Sequence, residues 1–125
     1  MSVLKAENIS LSYNNSTTPV LENIYLNIPE SSLTVILGES GCGKTTLLNI
    51  LAGFQQADHG VVKIDNQVLT APSDQRAVVF QEHALLPWLN VAENVGFSLK
   101  LKGLATKEIE QHVSQILKIV GLSNV

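Results

Sequence analysis

Among its 125 residues the sequence has one cysteine, Cys42. No intramolecular disulfide can form, and a lone thiol fits a reducing compartment. The three histidines, His59, His83 and His112, share no ligand spacing with that thiol, which excludes a structural zinc site. Basic charge is also scarce: eight Lys and Arg against eleven Asp and Glu give a net charge of −3 and a pI near 5.5. The basic residues are scattered singly from Lys5 to Lys118, whereas binding to a phosphate backbone needs a basic face, so no nucleic-acid partner is expected. Unbroken apolar stretches such as Val35-Ile36-Leu37 fall far short of the ~20 residues of a membrane span. Residues 1–13 lack a basic region followed by an apolar one, so no signal peptide is read. A cytoplasmic protein is expected, with any membrane association made through a partner. What is present is an apolar content of 45% with 15% charge, the balance of a globular chain long enough for one core.

The first third alternates like strands. Ile9, Leu11 and Tyr13 are separated by Ser10 and Ser12, and Ile24, Leu26 and Ile28 by Tyr25 and Asn27, with a turn cluster over 14–19 between them. Residues 33–37 are nearly all apolar and rich in β-branched side chains, which predicts a strand buried on both faces. A helix is expected over 45–52, ended by Gly53. A hairpin of 60–64 and 68–70 around Asp65-Asn66 follows, then a further apolar strand over 77–80. Beyond Gln81 the pattern turns helical. Asn90 and Glu93 have the spacing of a capping box for a helix running to Gly103, and Thr106 is the expected cap of the last helix. There Ile109, Val113, Ile116, Leu117 and Val120 form one apolar face, ended by Gly121.

Gly38-Glu39-Ser40-Gly41-Cys42-Gly43-Lys44-Thr45 matches GxxxxGK[ST], the Walker A phosphate-binding loop, at every fixed position. Glycines are needed where the chain wraps so that successive backbone N–H groups point inward at phosphate oxygens. The following helix adds the partial positive charge of its N-terminus. Lys44 is expected to reach the β- and γ-phosphates, Thr45 to ligate Mg²⁺, and Thr46 to sit in the helix with some phosphate contact. Cys42 is expected to point away from the phosphates as an inert small residue. An apolar strand leading in and a helix leading out distinguish a true site from an accidental glycine turn.

With those motifs in place, the sequence resembles the nucleotide-binding subunit of ABC transporters over essentially its whole length. The resemblance is carried by Tyr13, GESGCGKTT at 38–46, LAGF at 51–54, VVFQ at 78–81, LLPW at 85–88 and NVAENV at 90–95. LLPW after the glutamine is similar to the branch that imports taurine, aliphatic sulfonates and nitrate, with taurine importers the nearest match. The resemblance implies an α/β fold of the P-loop NTPase type (ABC ATPase), truncated. It comprises an antiparallel β-subdomain, a Walker A strand-loop-helix, a Q-loop strand and the first helices of the helical subdomain. The whole is one partial nucleotide-binding domain, with 1–81 the β-rich ATP-binding core and 82–125 the Q-loop and start of the helical subdomain.

Residue roles follow from the same resemblance. Tyr13 would be the aromatic that stacks on adenine, or else a strand-face tyrosine of the core. Gln81 would be the Q-loop glutamine, a catalytic residue with Lys44 and a second Mg²⁺ ligand with Thr45, or else an ordinary polar residue at a strand end. The phosphate-binding set is Gly38, Glu39, Ser40, Gly41, Cys42, Gly43, Lys44, Thr45 and Thr46. The segment His83–Trp88 resembles the surface that receives a transmembrane permease subunit, although Leu85, Leu86 and Trp88 around Pro87 could instead pack beneath their loop. The ligands implied are ATP and Mg²⁺, the partners permease subunits and a second ATP-binding subunit, and the location the inner face of the cell membrane. No histidine is given a catalytic role.

The sequence departs from the family at Ser31-Ser32, where Gly-Glu is usual, at Asn66 in a turn often held by glycine, and at Glu39, where proline is common. None removes a phosphate-contacting group. The 125 residues contain no LSGGQ-type signature, no Walker B Asp-Glu and no switch histidine, so an alternative stands beside the importer subunit: a nucleotide-binding fragment that does not hydrolyse ATP alone. A small-molecule kinase is disfavoured, because LAGF and VVFQ-LLPW have no place in one.

Overall fold

The alternation in the first 28 residues folds into an antiparallel pair, β1 (Leu4–Leu11) and β2 (Leu21–Ile28). The structure, a computed structural model, describes residues 3–13, 18–73, 76–82 and 84–124. Most of the turn expected over 14–19, and His83, lie outside the described residues. The chain divides into two units, Met1–Val78 and Val79–Val125. In the first, β3 (His59–Ile64) pairs with the other edge of β1 and β4 (Gln67–Val68) with β3, giving an antiparallel sheet of order β2-β1-β3-β4. The β3–β4 turn is Asp65-Asn66, both left-handed with φ of 50° and 66°, which matches the twist of a tight hairpin and uses asparagine's tolerance of that region.

Ala6, Ile9 and Leu11 are all buried. Positions 6 and 9 are three apart, and an unbroken strand would set them on opposite faces. A bulge at Asn8 (φ 57°) resets the phase, and the register of β1 jumps there against both neighbours. Opposite the bulge, Gly60 has φ 89°, and a Cβ on it would run into the Asn8 carbonyl.

Helix α1 (Lys44–Ala52) closes the core of this unit. Its Leu47, Ile50 and Leu51 join Ala6, Ile9, Leu11, Leu21 and Val62 in one buried cluster. A helix of this length does not persist alone in water. Three buried aliphatic side chains, at up to about 1.5–3 kcal/mol each, are what hold it. It ends at Gly53 (φ 83°), whose N–H donates to Asn49 O and Ile50 O. Arg76 reaches back to the same end, donating from Nη1 to Leu51 O at 3.3 Å and from Nη2 to Ala71 O at 2.5 Å, so a cation sits at the negative end of the helix dipole.

Two expected strands are absent from the described residues. Residues 33–37 and 77–80 make no ladder, and Leu33, Leu37 and Val79 are 91%, 87% and 93% exposed. A strand apolar on both faces is held by partners along its edges and layers over its faces. The sheet that forms is antiparallel and runs from β2 to β4, leaving neither segment a place in its order. The second hairpin strand is also shorter than expected and begins one residue earlier, at Gln67.

In the second unit α2 (Val91–Leu101) starts with the expected box. Glu93 N–H donates to Asn90 Oδ1 at 2.9 Å and Asn90 N–H to Glu93 Oε2 at 2.8 Å. Asn94 ties the preceding loop to the helix: it accepts from Leu86 N–H at 2.9 Å and donates to the carbonyls of Leu86, Leu89 and Asn90 at 3.0–3.2 Å. Helix α3 (Thr106–Ile119) corrects one cap. Thr106 is its first helical residue and Ala105 holds the cap position, where there is no side-chain acceptor, so Glu108 supplies only the return bond to Ala105 N–H at 3.3 Å. Val113 and Leu117 are buried, while Ile116 and Val120, on the flank of the stripe, are 43% and 58% exposed. The two helices meet closely at Gly96, where a Cβ would stand 2.9 Å from Ile109 Cγ2.

Gly60→Ala is expected to lower stability by about 2–3 kcal/mol, read as a fall in the urea midpoint followed by circular dichroism. Gly103→Ala, at φ 76° with nothing within 4 Å, should cost only about 1–2 kcal/mol. Asn94→Ala strands the Leu86 N–H, and exchange of that amide proton is expected to accelerate at least about tenfold while α3 amides keep their protection.

Candidate functional site

The loop between residue 37 and α1 is built by its glycines for different reasons. Gly41 and Gly43 take φ of 81° and 95°, and Gly43 is the N-cap of α1. Around Gly41 there is open space, so only its conformation demands glycine. Gly43 also passes close to β2: a Cβ there would stand 3.0 Å from Val20 O and from Leu21 Cδ2. Gly38 lies beneath Cys42, whose Sγ would meet a Cβ at 2.6 Å. The loop is thus seated on the start of β2 while Glu39, Ser40, Gly41 and Cys42 stay exposed.

Two kinds of donor converge there. The first intrahelical bond runs from Leu47 N–H to Gly43 O at 2.9 Å, and among the described residues the N–H groups of Gly43, Lys44, Thr45 and Thr46 have no partner. No acidic residue occupies the first turn to compete for them. Lys44 Nζ meanwhile donates to Gly38 O at 2.8 Å and Glu39 O at 2.6 Å, so the ammonium is held by carbonyls of its own loop. Cys42 is exposed, and its Sγ lies 3.7 Å from that ammonium. Unpaired N–H groups at a helix N-terminus beside a lysine form a site for a polyphosphate. Thr45 is exposed at the same place, free to offer its hydroxyl to a phosphate-bound cation. Among the described residues no group of three His, Cys, Asp or Glu stands together as a metal site.

Tyr13 is brought to this end of the unit and is 44% exposed, so it is not a core residue of the strand face. Its hydroxyl donates to Gln55 Oε1 at 3.0 Å and lies 3.4 Å from Thr46 Oγ1. Gln55 carried no signal in the sequence, since no motif or period marks it. The same applies to Asp58, whose carboxylate accepts from Ser12 N–H at 2.8 Å and whose own N–H donates to Ser10 O at 2.9 Å.

The second unit contains the remaining expected residues. Gln81 is exposed within it, in a bend and not at a strand end. His83 falls outside the described residues. Leu85 and Trp88 are 67% and 75% exposed, so the packed-beneath alternative does not hold for them, while Leu86 is half-buried. No helix among the described residues is long and apolar enough to cross a membrane.

Comparison with known proteins agrees with this geometry. The chain is 47% identical over 124 residues to the taurine import ATP-binding protein TauB of Pseudomonas aeruginosa, covering 98% of this chain and 47% of that protein. It is 44% identical over 123 residues to the Chromobacterium violaceum TauB, with the same coverage. The Escherichia coli O157:H7 TauB matches at 47% over 104 residues, 83% of this chain and 41% of that protein. The chain therefore spans about half the length of the curated relatives it matches. Among solved structures, the ATP-binding cassette MJ0796 in a dimeric post-hydrolysis state bound to ADP and Pi aligns with a TM-score of 0.78 at 30% identity, covering 92% of this chain and 56% of that one. The fold is that of a P-loop NTPase cassette. With the ABC transporter family model matching residues 21–125, glycine loop included, the chain belongs to the ABC transporter family.

Proposed function

We propose that this chain is the ATP-binding, energy-coupling part of an ABC-type importer for taurine or a related sulfonate. The observation that carries the reading is the cradle at 38–46: unpaired N–H groups of the first turn of α1, Lys44 beside them, and glycines that let the backbone approach a phosphate. The solute rests on the relatives alone, whose names state taurine import.

The residue roles follow from the chemistry of the cradle. Backbone N–H groups of 43–46 donate to the phosphate oxygens, and an incoming phosphate offers the Lys44 ammonium a charged partner in place of the Gly38 and Glu39 carbonyls. At the cradle Thr45 is the proposed holder of Mg²⁺, which when bound supplies charge neutralisation to the terminal phosphates, and the proposed Mg²⁺ role of Gln81 rests on its place in VVFQ alone. Tyr13 offers a half-exposed ring to the adenine face, an interaction on the order of 1–3 kcal/mol in comparable base stacking. A permease subunit is proposed to dock on the second unit. Exposed Leu85 and Trp88 supply apolar anchors there, and Trp88 continues into a groove of about 740 Å³ lined by Phe97, Leu101, Ile109 and Val113. Pairing with a second ATP-binding subunit, and a location on the inner face of the membrane, belong to the same proposal.

A second reading is nucleotide binding without turnover by these residues. The observation that favours it is the solvent-exposed, unladdered state of 33–37, the segment that feeds the loop. Phosphate release from ATP by the purified chain separates the two.

Mg-ATP at a hundred times its Kd should stabilise the chain by about 2.7 kcal/mol in a thermal melt, and Lys44→Ala should remove most of that shift. A wild-type melt indifferent to Mg-ATP would sink the nucleotide reading. Trp88→Ala together with Leu85→Ser should keep the ATP shift yet weaken co-purification with taurine-importer membrane subunits by about thirtyfold, the size of a buried aromatic anchor.

A further inference from the structure

We propose that Gln55 is a positioning residue for the nucleotide base, acting through the hydroxyl of Tyr13. The inference rests on the reading of Tyr13 as the base-stacking ring and extends it to a residue outside the loop. A tyrosine that is 44% exposed at a strand exit has little packing to fix its ring. Here the tip of the ring is fixed by hydrogen bonding. Tyr13 O–H donates to Gln55 Oε1 at 3.0 Å, with Thr46 Oγ1, a residue of the first turn of α1, at 3.4 Å.

Gln55 can reach that point because the chain folds back after Gly53. The N–H groups of Phe54 and Gln55 both donate to Asn49 O, at 2.9 and 3.3 Å, and Asn49 lies one turn along from Thr46 on the same side of the helix. The segment then fixes the backbone that carries Tyr13 as well. Asp58 Oδ2 accepts from Ser12 N–H, and Asp58 N–H donates to Ser10 O. Two residues of one connector therefore act on both sides of the tyrosine: Asp58 holds the backbone that leads into it, at Ser10 and Ser12, and Gln55 holds its hydroxyl. The ring is set relative to the N-terminus of α1, where the phosphates would lie, before any nucleotide arrives. Binding then does not have to immobilise the ring, which is the affinity gained by preorganisation.

The test compares ATP with inorganic tripolyphosphate, which has the phosphates and no base, on the 125-residue chain. Gln55→Ala should weaken ATP about three- to tenfold, the value of one neutral hydrogen bond, and leave tripolyphosphate affinity within about twofold. Gln55→Glu keeps an acceptor oxygen and should restore ATP affinity. Tyr13→Phe, which removes only the hydroxyl, should match Gln55→Ala, and the double variant should be no weaker than either alone. Equal losses for ATP and tripolyphosphate, or an unchanged ATP affinity in Gln55→Ala while Tyr13→Ala loses it, would overturn the inference and leave the stacking role of Tyr13 standing. If Tyr13→Ala itself binds ATP as the wild type does, the stacking reading fails first and Gln55 has nothing to position.

Discussion

Leu47, Ile50 and Leu51 press α1 onto Ile9, Leu11 and Leu21 of the antiparallel sheet, and the site depends on that contact. A nine-residue helix has little stability of its own, so its direction is set by the face it buries. Once the apolar face is down, the N-terminus of α1 opens away from the core and its unpaired N–H groups are presented at the surface. Gly43 completes the geometry by letting the backbone come down on Val20 and Leu21, a distance that any side chain would enlarge. The phosphate cradle is a consequence of core packing transmitted through one glycine.

The lysine shows how such a loop stays ordered before it meets an anion. Its ammonium needs acceptors, and the carbonyls of Gly38 and Glu39 provide them at 2.8 and 2.6 Å. These neutral acceptors hold the loop around the charge. Phosphate oxygens are stronger partners, because an anionic acceptor adds Coulomb attraction to the ammonium's hydrogen bond. The resting state thus keeps the loop shaped without closing it to a ligand.

In the second unit a polar network displays an apolar surface. Asn94 uses both ends of its amide on the backbone of Leu86, Leu89 and Asn90, and with that loop fixed Leu85 and Trp88 remain exposed in a defined place. The capping box at Asn90 and Glu93 starts the helix that carries Asn94. The motif NVAENV therefore reads as two local devices, a helix start and a loop staple, spaced one turn apart.

Much of this was legible in the amino-acid order because it depends on neighbours in sequence. GxxxxGK[ST], the Gly53 stop, the Asp65-Asn66 turn and the Asn90–Glu93 box are each decided within a few residues, and the structure forms them where they were read. Periodicity also placed Ile9 and Leu11 on the inward face, where the structure buries them, but it did not extend to Ala6, which is buried out of phase with them. The bulge at Asn8 is permitted by Gly60 on another strand, and no pattern within residues 4–11 reports it. Composition alone likewise made strands of 33–37 and 77–80, because apolar, β-branched runs say what a strand would bury and not whether partners stand beside it. Gln55 and Asp58 were invisible for the same reason: their partners, Tyr13 and Ser12, lie more than forty residues earlier in the chain. The sequence by itself determined the chemistry of the loop and the starts and stops of the helices, since those are local backbone and capping preferences. Only the tertiary structure decided where the strand phase shifts, which apolar runs find a ladder and what holds the tyrosine, because each depends on a group that folding brings from a distance.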